Sequence, residues 1–412
     1  MIYTDRSRIE TVEFCPRKRY WQYEFNGHGL EKAGDLKLDA RIGTFVHNGI
    51  EAALTAPWQI AYSEQGSPVY MRGDLVKIAK WAGDEFIGDC KGVLGASLMS
   101  QSEQLTHDIT EGGQIVTALV YAWLRLKAPR LLGDGEILAI EKELTVDFEV
   151  ATVAGSEIVR LMARPDIIWR RHSDGTIFIR NLKTVRQADD RWREKWALDM
   201  QTLSEPLAVD QWMAANVEGG QPDDKCGGVI VDGLVTGKIT SAKSQFGGLY
   251  HHNNQLVYAF RQELPTGAFM YQPAYKYGLQ KVAVADCYPG GIIAWVDHLI
   301  EHHPAIVDEH IIELPPIIRS EYQIERWKRQ VLPREVAIHR HAKQCNVEQL
   351  VGEHTELLLD KHFPMHTANG NCLYPGKCPC YNLCWGTAAS DPIGAGYVNR
   401  TPNHPQEREK VS

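Results

Sequence analysis

Three polar residues near the middle of the sequence have types and spacing suited to chemistry. Asp166 follows Arg-Pro, and Asn181 and Lys183 come on the next predicted strand, Asn181 being 15 positions later. The segment 172–175, His-Ser-Asp-Gly, has the composition of a tight turn. A hairpin about this turn would set Asp166 across from Asn181–Lys183. Because Asn181 and Lys183 are two apart, they project from the same sheet face.

An acid, an amide and a lysine at one point suit the hydrolysis of a phosphodiester bond. Carboxylate and amide oxygens are ligands for a hard cation such as Mg²⁺, which lowers the pKa of a bound water. A neighbouring lysine can orient the attacking hydroxide and stabilise charge on the phosphate. The alternative is a surface hairpin with scattered polar residues.

The cysteines suggest a second site. Four of the nine cysteines in the chain lie close together, at Cys372, Cys378, Cys380 and Cys384. Such crowding is typical of a metal site, because zinc and iron–sulfur clusters usually take four thiolates. The spacing alone is compatible with a zinc loop, and the alternative is a buried group of reduced cysteines without metal.

The hydrophobic pattern places these residues in an α/β protein. Residues 1–135 read as mainly helical, with Ser7 as an N-cap and a helix through Gly43–Leu54. Strand periodicity follows from residue 136 in ILAIEKELTVDFEV, EIVRLMARPDIIWRR and TIFIRNLKT, and again at 227–235 and 279–287. Residues 291–362 read as helical. We therefore predict an N-terminal helical region (1–135), a core (136–290), a C-terminal helical region with the cysteine loop (291–390) and a flexible tail (391–412).

The amino-acid composition limits the classes of protein to which the chain can belong. The chain has 412 residues, with 44% hydrophobic and 23% charged residues, which is ordinary for a globular protein. No apolar run is long enough for a membrane helix, and the first residues lack the apolar stretch of a secretion signal, so we expect a cytoplasmic protein.

The net charge of −8 does not favour nucleic-acid binding, so any such site needs local basic residues. Three clusters are available as DNA-binding surfaces or as solvated helix faces: 17–19, 191–195 and 326–334. Trp192 and Trp196 interleave with the second cluster and could stack on bases or anchor an apolar helix face.

Together these motifs resemble the RecB-like branch of the PD-(D/E)XK nuclease superfamily, which includes CRISPR-associated and phage exonucleases with a four-cysteine cluster. Arg-Pro-Asp166 and Asn181-Leu182-Lys183-Thr184 are similar to the core motif G-R-x-D … D-x-K-T. The opening SRIETVEFCPRKRYWQYEFNG, the helix motif GTFVH and the closing FPMHTANGNCLYPGKCPCYNLC match in the family's order. The resemblance implies a small mixed sheet flanked by helices, with helical extensions at both ends.

The resemblance also implies roles for individual residues. Asp166, Asn181 and His47 would bind Mg²⁺ or Mn²⁺, and Lys183 would be the catalytic lysine. Gln201 resembles a glutamine that contacts DNA, although Glu205 stands where the family usually has tyrosine. Glu141 resembles a further acidic position.

The same resemblance implies a [4Fe–4S] cluster held by Cys15, Cys372, Cys378 and Cys384, joining the two ends of the chain. Cys380 would be the spare thiol or would replace one of the four.

The departure from the family is Asn181, where an acid is usual. An amide oxygen can bind a cation but brings no charge. Asn181 could be an engineered change, it could mark a natural inactive relative, or another carboxylate such as Glu141 could compensate.

The resulting hypotheses are a DNA exonuclease acting on single strands or ends, an inactive DNA-binding module of the same fold, and a zinc-stabilised structural protein. Proteins of a recombination, phage or CRISPR system are the expected partners.

Overall fold

The structure, a computed structural model, describes residues 1–33, 36–55, 61–62, 68–69, 72–99, 103–153, 155–216, 225–236, 291–302, 304–351, 355–367, 372–373, 377–386, 388–401 and 404. The strands are β1 (Ile2–Asp5), β2 (Leu30–Lys32), β3 (Ala61–Tyr62), β4 (Pro68–Val69), β5 (Gly135–Ile140), β6 (Leu144–Thr152), β7 (Gly155–Ala163), β8 (Ile167–Arg171), β9 (Ile177–Val185), β10 (Val229–Val235), β11 (Ile311–Glu313) and β12 (Tyr397–Asn399). The helices are α1 (Arg6–Phe14), α2 (Pro16–Arg19), α3 (Leu38–Thr55), α4 (Arg72–Met99), α5 (Glu103–Leu126), α6 (Ala128–Asp134), α7 (Asp190–Lys195), α8 (Gln201–Asn216), α9 (Gly291–His302), α10 (Pro304–His310), α11 (Glu321–Val351), α12 (Thr355–His362) and α13 (Tyr381–Trp385).

A five-stranded mixed sheet lies at the centre, in the order β11-β10-β9-β8-β5. The strands β9 and β10 are parallel, and the other neighbours are antiparallel. A second sheet, β1-β7-β6, contains the long hairpin of β6 and β7 with β1 added in parallel. The predicted α/β class, with a small mixed sheet flanked by helices, is confirmed.

Alternation along β9 gives each sheet face its own core. Phe178 and Leu182 pack with α3, α4, α5 and α9 on one face. Ile177 and Ile179 pack on the other face with α7, α8 and the β6–β7 hairpin. Residues two apart share a face, so Asn181 and Lys183 lie on the α8 side of the sheet.

Two segments that the sequence predicts as continuous strands are each divided between the two sheets. Arg164-Pro165-Asp166 separates β7 from β8, because proline lacks the N–H that a ladder requires. Glu141, with a φ of 45°, lies just beyond the end of β5 and before β6. Both breaks place an acidic residue where a strand meets an irregular backbone.

The N-terminus also differs from prediction. Ser7 is not the N-cap; Asp5 caps α1 by accepting a hydrogen bond from the Arg8 N–H at 2.9 Å. The four residues before α1 form β1, which the helical prediction missed. Asp5 can cap because it ends this strand with an extended backbone.

The C-terminal part is largely helical as predicted, but it includes β11 as an edge strand of the central sheet. The predicted flexible tail is not loose throughout: β12 pairs with β2 and buries Tyr397. The predicted strand 227–235 is confirmed as β10, and the predicted strand 279–287 lies outside the described residues. Among the described helices, none has the length and apolarity needed to cross a membrane.

Buried ion pairs join the N-terminal segment to the C-terminal helices. Arg19, only 2% exposed, donates hydrogen bonds to Glu335 at 2.9 Å and to Glu24 at 3.0 Å. Arg17 donates to the Phe363 carbonyl at 2.7 Å and pairs with Asp360. The basic cluster 17–19 is therefore mainly structural, since both of its arginines are buried.

Removal of Glu335 tests the first of these contacts. We expect Glu335→Ala to lower the free energy of unfolding by about 3–5 kcal/mol, because Arg19 would keep a buried charge with half of its counter-charge removed. Urea denaturation measures the change. The control is Glu157→Ala, which breaks the more exposed pair with Arg340 and should cost less than about 1 kcal/mol. Equal losses in the two variants would contradict the role of Arg19–Glu335.

Candidate metal-dependent active site

Asp166 lies where the predicted hairpin places it. The register between β8 and β9 sets Ile167 opposite Arg180, which brings Asp166 beside Asn181. The Leu182 N–H donates to Asp166 Oδ2 at 2.6 Å, and the carboxylate is buried. The backbone of β9 thus fixes the orientation of this acid.

His47 and Glu141 converge on Asp166 from two other elements. His47 Nδ1 lies 3.7 Å from Asp166 Oδ1 and 3.8 Å from Glu141 Oε1. One potential ligand atom from each of the three residues lies within 4.8 Å of the others. One imidazole and two carboxylates form a donor set that fits Mg²⁺ or Mn²⁺.

Local backbone features position both partners. Glu141 adopts the left-handed region, with φ 45°, and its N–H donates to the Asp166 carbonyl at 2.9 Å. That conformation is unfavourable for a residue with a side chain, so the surrounding contacts must maintain it. His47 is carried close to β9 because Gly43 lies against Thr184, where a Cβ atom would meet Thr184 Oγ1 at 2.6 Å.

Lys183 supplies a positive charge next to the acids. Its Nζ lies 3.7 Å from Asp166 Oδ2, and its side chain is 19% exposed. The predicted meeting of an acid, an amide and a lysine on adjacent strands is therefore present. Such an arrangement can hold a cation and an anionic phosphate side by side.

A comparison with protein-family models decides the relationship. The model of the PD-(D/E)XK nuclease superfamily matches residues 6–384. The chain belongs to this superfamily. The comparison with curated proteins found no match. Membership of the superfamily suggests a metal-dependent nuclease that hydrolyses phosphodiester bonds.

Asn181, which the resemblance places at the acidic position of the PD-(D/E)XK motif, is fully buried. Its Nδ2 donates to Glu205 Oε2 at 2.7 Å, and its Oδ1 lies 3.4 Å from the Asp166 N–H. Neither contact requires a metal ion, so the ligand role expected of Asn181 stays a prediction.

Gln201 is buried, with protein partners at both ends of its amide, and the DNA contact that the resemblance implies for it stays a prediction. Its Nε2 donates to Glu205 Oε1, and its Oε1 accepts from Arg6 Nη1 at 2.6 Å. Glu205 therefore receives two amide hydrogen bonds on α8.

Two further acidic residues at the site, Glu51 and Glu205, are not marked by the sequence motifs. In the sequence, Glu205 stands out only because the family usually has tyrosine at this position. Glu51 lies four positions after His47, on the same helical face, and burial together with the charge of Glu141 raises its pKa. The four-residue spacing between His47 and Glu51 could have indicated Glu51. No sequence signal indicates Glu205, whose proximity to the site depends on the packing of α8 against the sheet.

The C-terminal cysteine loop packs against the N-terminal segment, since Cys380 and Leu383 share a hydrophobic cluster with Val12 and Tyr20. The joint ligand role that the resemblance implies for Cys15 stays a prediction. Cys15 lies between α1 and α2, and its sulfur together with those of Cys372 and Cys378 contributes to a raised pKa at Cys384, of which burial is the main cause. The Cys378 N–H donates to the Cys372 carbonyl at 2.8 Å. Cys380 is buried, and hydrogen bonding to its side chain lowers the pKa of Cys378 to about 6.

The sulfur spacing differs from that of a preformed zinc site. Zinc bonded to sulfur at about 2.3 Å brings tetrahedral thiolates within about 4 Å of one another. Among the residues that the structure describes, no three cysteine sulfurs lie within 4.8 Å of one another. In an iron–sulfur cluster each thiolate binds a different iron atom, so the cysteine sulfurs lie farther apart than they do around a single zinc ion.

The tryptophans are structural. Trp192 and Trp196 are 7% and 1% exposed and pack in the core beneath α8, which confirms the apolar-anchor interpretation over base stacking. By contrast, Arg191, Arg193 and Lys195 on and beside these turns are exposed.

The buried carboxyl of Glu205 predicts a pH-dependent stability. Desolvation raises the pKa of Glu205 to about 7 from 4.5. Between these values the folded state keeps a proton that the unfolded chain has released, so this group destabilises the fold increasingly as pH rises from 4.5 to 7. We expect Glu205→Gln to gain about 3 kcal/mol relative to wild type over this window. Urea denaturation in EDTA at several pH values measures the difference; parallel pH profiles would contradict the prediction.

Proposed function

We propose that the protein is a Mg²⁺- or Mn²⁺-dependent DNA nuclease, and that it acts as an exonuclease on single strands or free ends. The observation that carries the proposal is the convergence of His47, Glu141 and Asp166 beside Lys183. The superfamily supports the nuclease chemistry. The choice of DNA, and of strands or ends, is supported by the resemblance of the motifs to exonucleases.

His47, Glu141 and Asp166 would hold the divalent cation. When bound, it would lower the pKa of a water and offset charge on the phosphate. Glu51 adds negative potential behind His47, since the two side chains lie one helical turn apart. Lys183 would orient the attacking oxygen and stabilise the charge that develops on the scissile phosphate.

Positive charge near the acids supports an approach path for the phosphate backbone. Arg164, whose side chain is 49% exposed, reaches Glu141 Oε2 at 3.0 Å. Desolvation lowers the pKa of Lys195. Repulsion from the nearby charge of Lys183 contributes to the same shift. These cations give an otherwise acidic protein a local surface for DNA.

Asn181 favours a second candidate, an inactive DNA-binding module of the same fold. A neutral residue in the motif removes a charge that attracts the cation. The two candidates differ in one observable, because the binding module retains DNA and leaves it intact with either metal.

Cleavage of labelled single- and double-stranded DNA with Mg²⁺ and Mn²⁺ tests the nuclease proposal. We expect activity in wild type and a loss of roughly 100-fold or more in Asp166→Asn, because that change removes a charged ligand. The matched control is Asp147→Asn, which removes a carboxylate paired with Arg160 in the second sheet and should cleave normally.

Residual cleavage that is the same in Asp166→Asn as in wild type would come from a contaminant and would contradict the proposed site. Wild-type protein that binds DNA without cleaving it would establish the binding module.

We also propose that Cys15, Cys372, Cys378 and Cys384 hold a [4Fe–4S] cluster with a structural role. The resemblance of the cysteine motif to that of the four-cysteine nucleases supports this assignment over a zinc loop, together with the burial of Cys15 and the influence of its sulfur on the pKa of Cys384. Cys380 would remain a neutral thiol beside Cys378, because its hydrogen bond with Cys378, together with burial, raises its pKa.

Metal analysis of anaerobically purified protein tests the cluster. We expect about four iron atoms per chain and a broad absorption in brown protein, with loss of both in Cys15→Ala. Cys226→Ala is the control, because this cysteine contacts Asp210 and Gly228 rather than the cysteine group. Colourless protein containing one zinc per chain would refute the cluster.

A further inference from the structure

A buried amide–carboxylate pair links β9 to α8 behind the active site. Asn181 is 0% exposed and Glu205 is 4% exposed, and their side chains meet at 2.7 Å. The PD-(D/E)XK motif calls for an acid at the first of these positions. The two positions together hold one carboxylate and one amide, with the carboxylate on the helix.

We propose that Glu205 carries, from α8, the negative charge that the motif normally carries at position 181, and that Asn181 is the donor that positions it. This inference rests on the proposed metal site and assigns Glu205 as a positioning residue for it. Glu205 interacts electrostatically with both Lys183 and Asp166. Lys183 therefore lies under the influence of two carboxylates, as it would with an acid at 181.

The network around Glu205 is built to hold a carboxylate. Asn181 donates to one oxygen and Gln201 donates to the other. Arg6 then donates to the Gln201 carbonyl at 2.6 Å, which fixes the direction in which that amide points. Both amide nitrogens face Glu205 and favour its ionised form, but burial outweighs them and raises the pKa of this carboxyl to about 7, so the carboxylate is mainly ionised at pH 8.

The same contact makes the residues at 181 and 205 interdependent. An aspartate at 181 would place a second carboxylate against Glu205 in a site without solvent, where two like charges cannot both stay ionised. Asn181 is thus matched to its neighbour and is not an isolated loss of the motif acid. Restoring the motif acid requires an amide at 205.

A cycle of four proteins tests the exchange: wild type, E205Q, N181D and the double variant N181D/E205Q. Mn²⁺ affinity is measured by electron paramagnetic resonance, and the urea midpoint is measured at pH 8 in EDTA. We expect E205Q to weaken Mn²⁺ binding by about 10–100-fold, the range for residues that support metal ligands. The double variant should return to within a few-fold of wild type, because the new carboxylate on β9 would accept a hydrogen bond from the new amide on α8.

The urea midpoint tests the pairing without metal. N181D alone should be less stable than wild type. The double variant should be more stable than the sum of the two single changes predicts, and this excess is the coupling between contacting residues, because E205Q by itself already stabilises the fold. D210N is the matched control, since Asp210 is also on α8 but bonds the Cys226 N–H at 2.6 Å. It should leave Mn²⁺ affinity unchanged.

The outcomes separate this inference from the proposed function. Mn²⁺ binding that is lost in D166N and unchanged in E205Q overturns the role of Glu205 and keeps the metal site. Binding unaffected by D166N overturns the metal site itself, and additive midpoints for N181D and E205Q then overturn the pairing as well. Recovery of Mn²⁺ affinity in the double variant N181D/E205Q supports the exchange.

Discussion

The register between β8 and β9 is the constraint on which the site and both cores depend. Because side chains alternate along a strand, a slip of one residue would exchange the two faces of β9. Phe178 and Leu182 would then leave the core formed with α3–α5, and Asn181 would turn away from α8. Asp166 is tied to the same register through the Leu182 N–H, so packing energy and catalytic geometry are fixed together.

Around this register, the candidate active site combines residues whose positions have different physical origins. Asp166 is held by strand pairing, Glu141 by an unfavourable backbone conformation beside a strand end, and His47 by the close approach of Gly43 to Thr184. Glu205 arrives by helix packing from α8. Glu205 is the least exposed of these carboxylates, and its hydrogen-bond partners are amides.

These origins explain how much the sequence could predict. The β8–β9 hairpin could be predicted because it is local: its turn and its alternating strands lie within one short segment. The position of His47 beside Asp166 and Glu141 could be predicted only from the order of the motifs along the chain. The contact between Asn181 and Glu205 spans 24 positions and two element types, and periodicity carries no information about it. The break at Pro165 could have been predicted, because proline has no N–H to donate to a strand ladder. The pairing of β12 with β2 could not, because the two strands lie near opposite ends of the sequence.

The buried contacts of the first helices also set an order for events during translation. Arg19 finds Glu335 316 residues later, and Arg17 finds the Phe363 carbonyl 346 residues later. At ribosomal speeds the first of these separations corresponds to roughly 15–60 s. Over that interval the guanidinium groups remain hydrated, because burying them without counter-charge costs several kcal/mol each. The helices α1 and α2 are therefore synthesised well before they can be packed, and a nascent chain can form the β8–β9 hairpin before these two helices are enclosed.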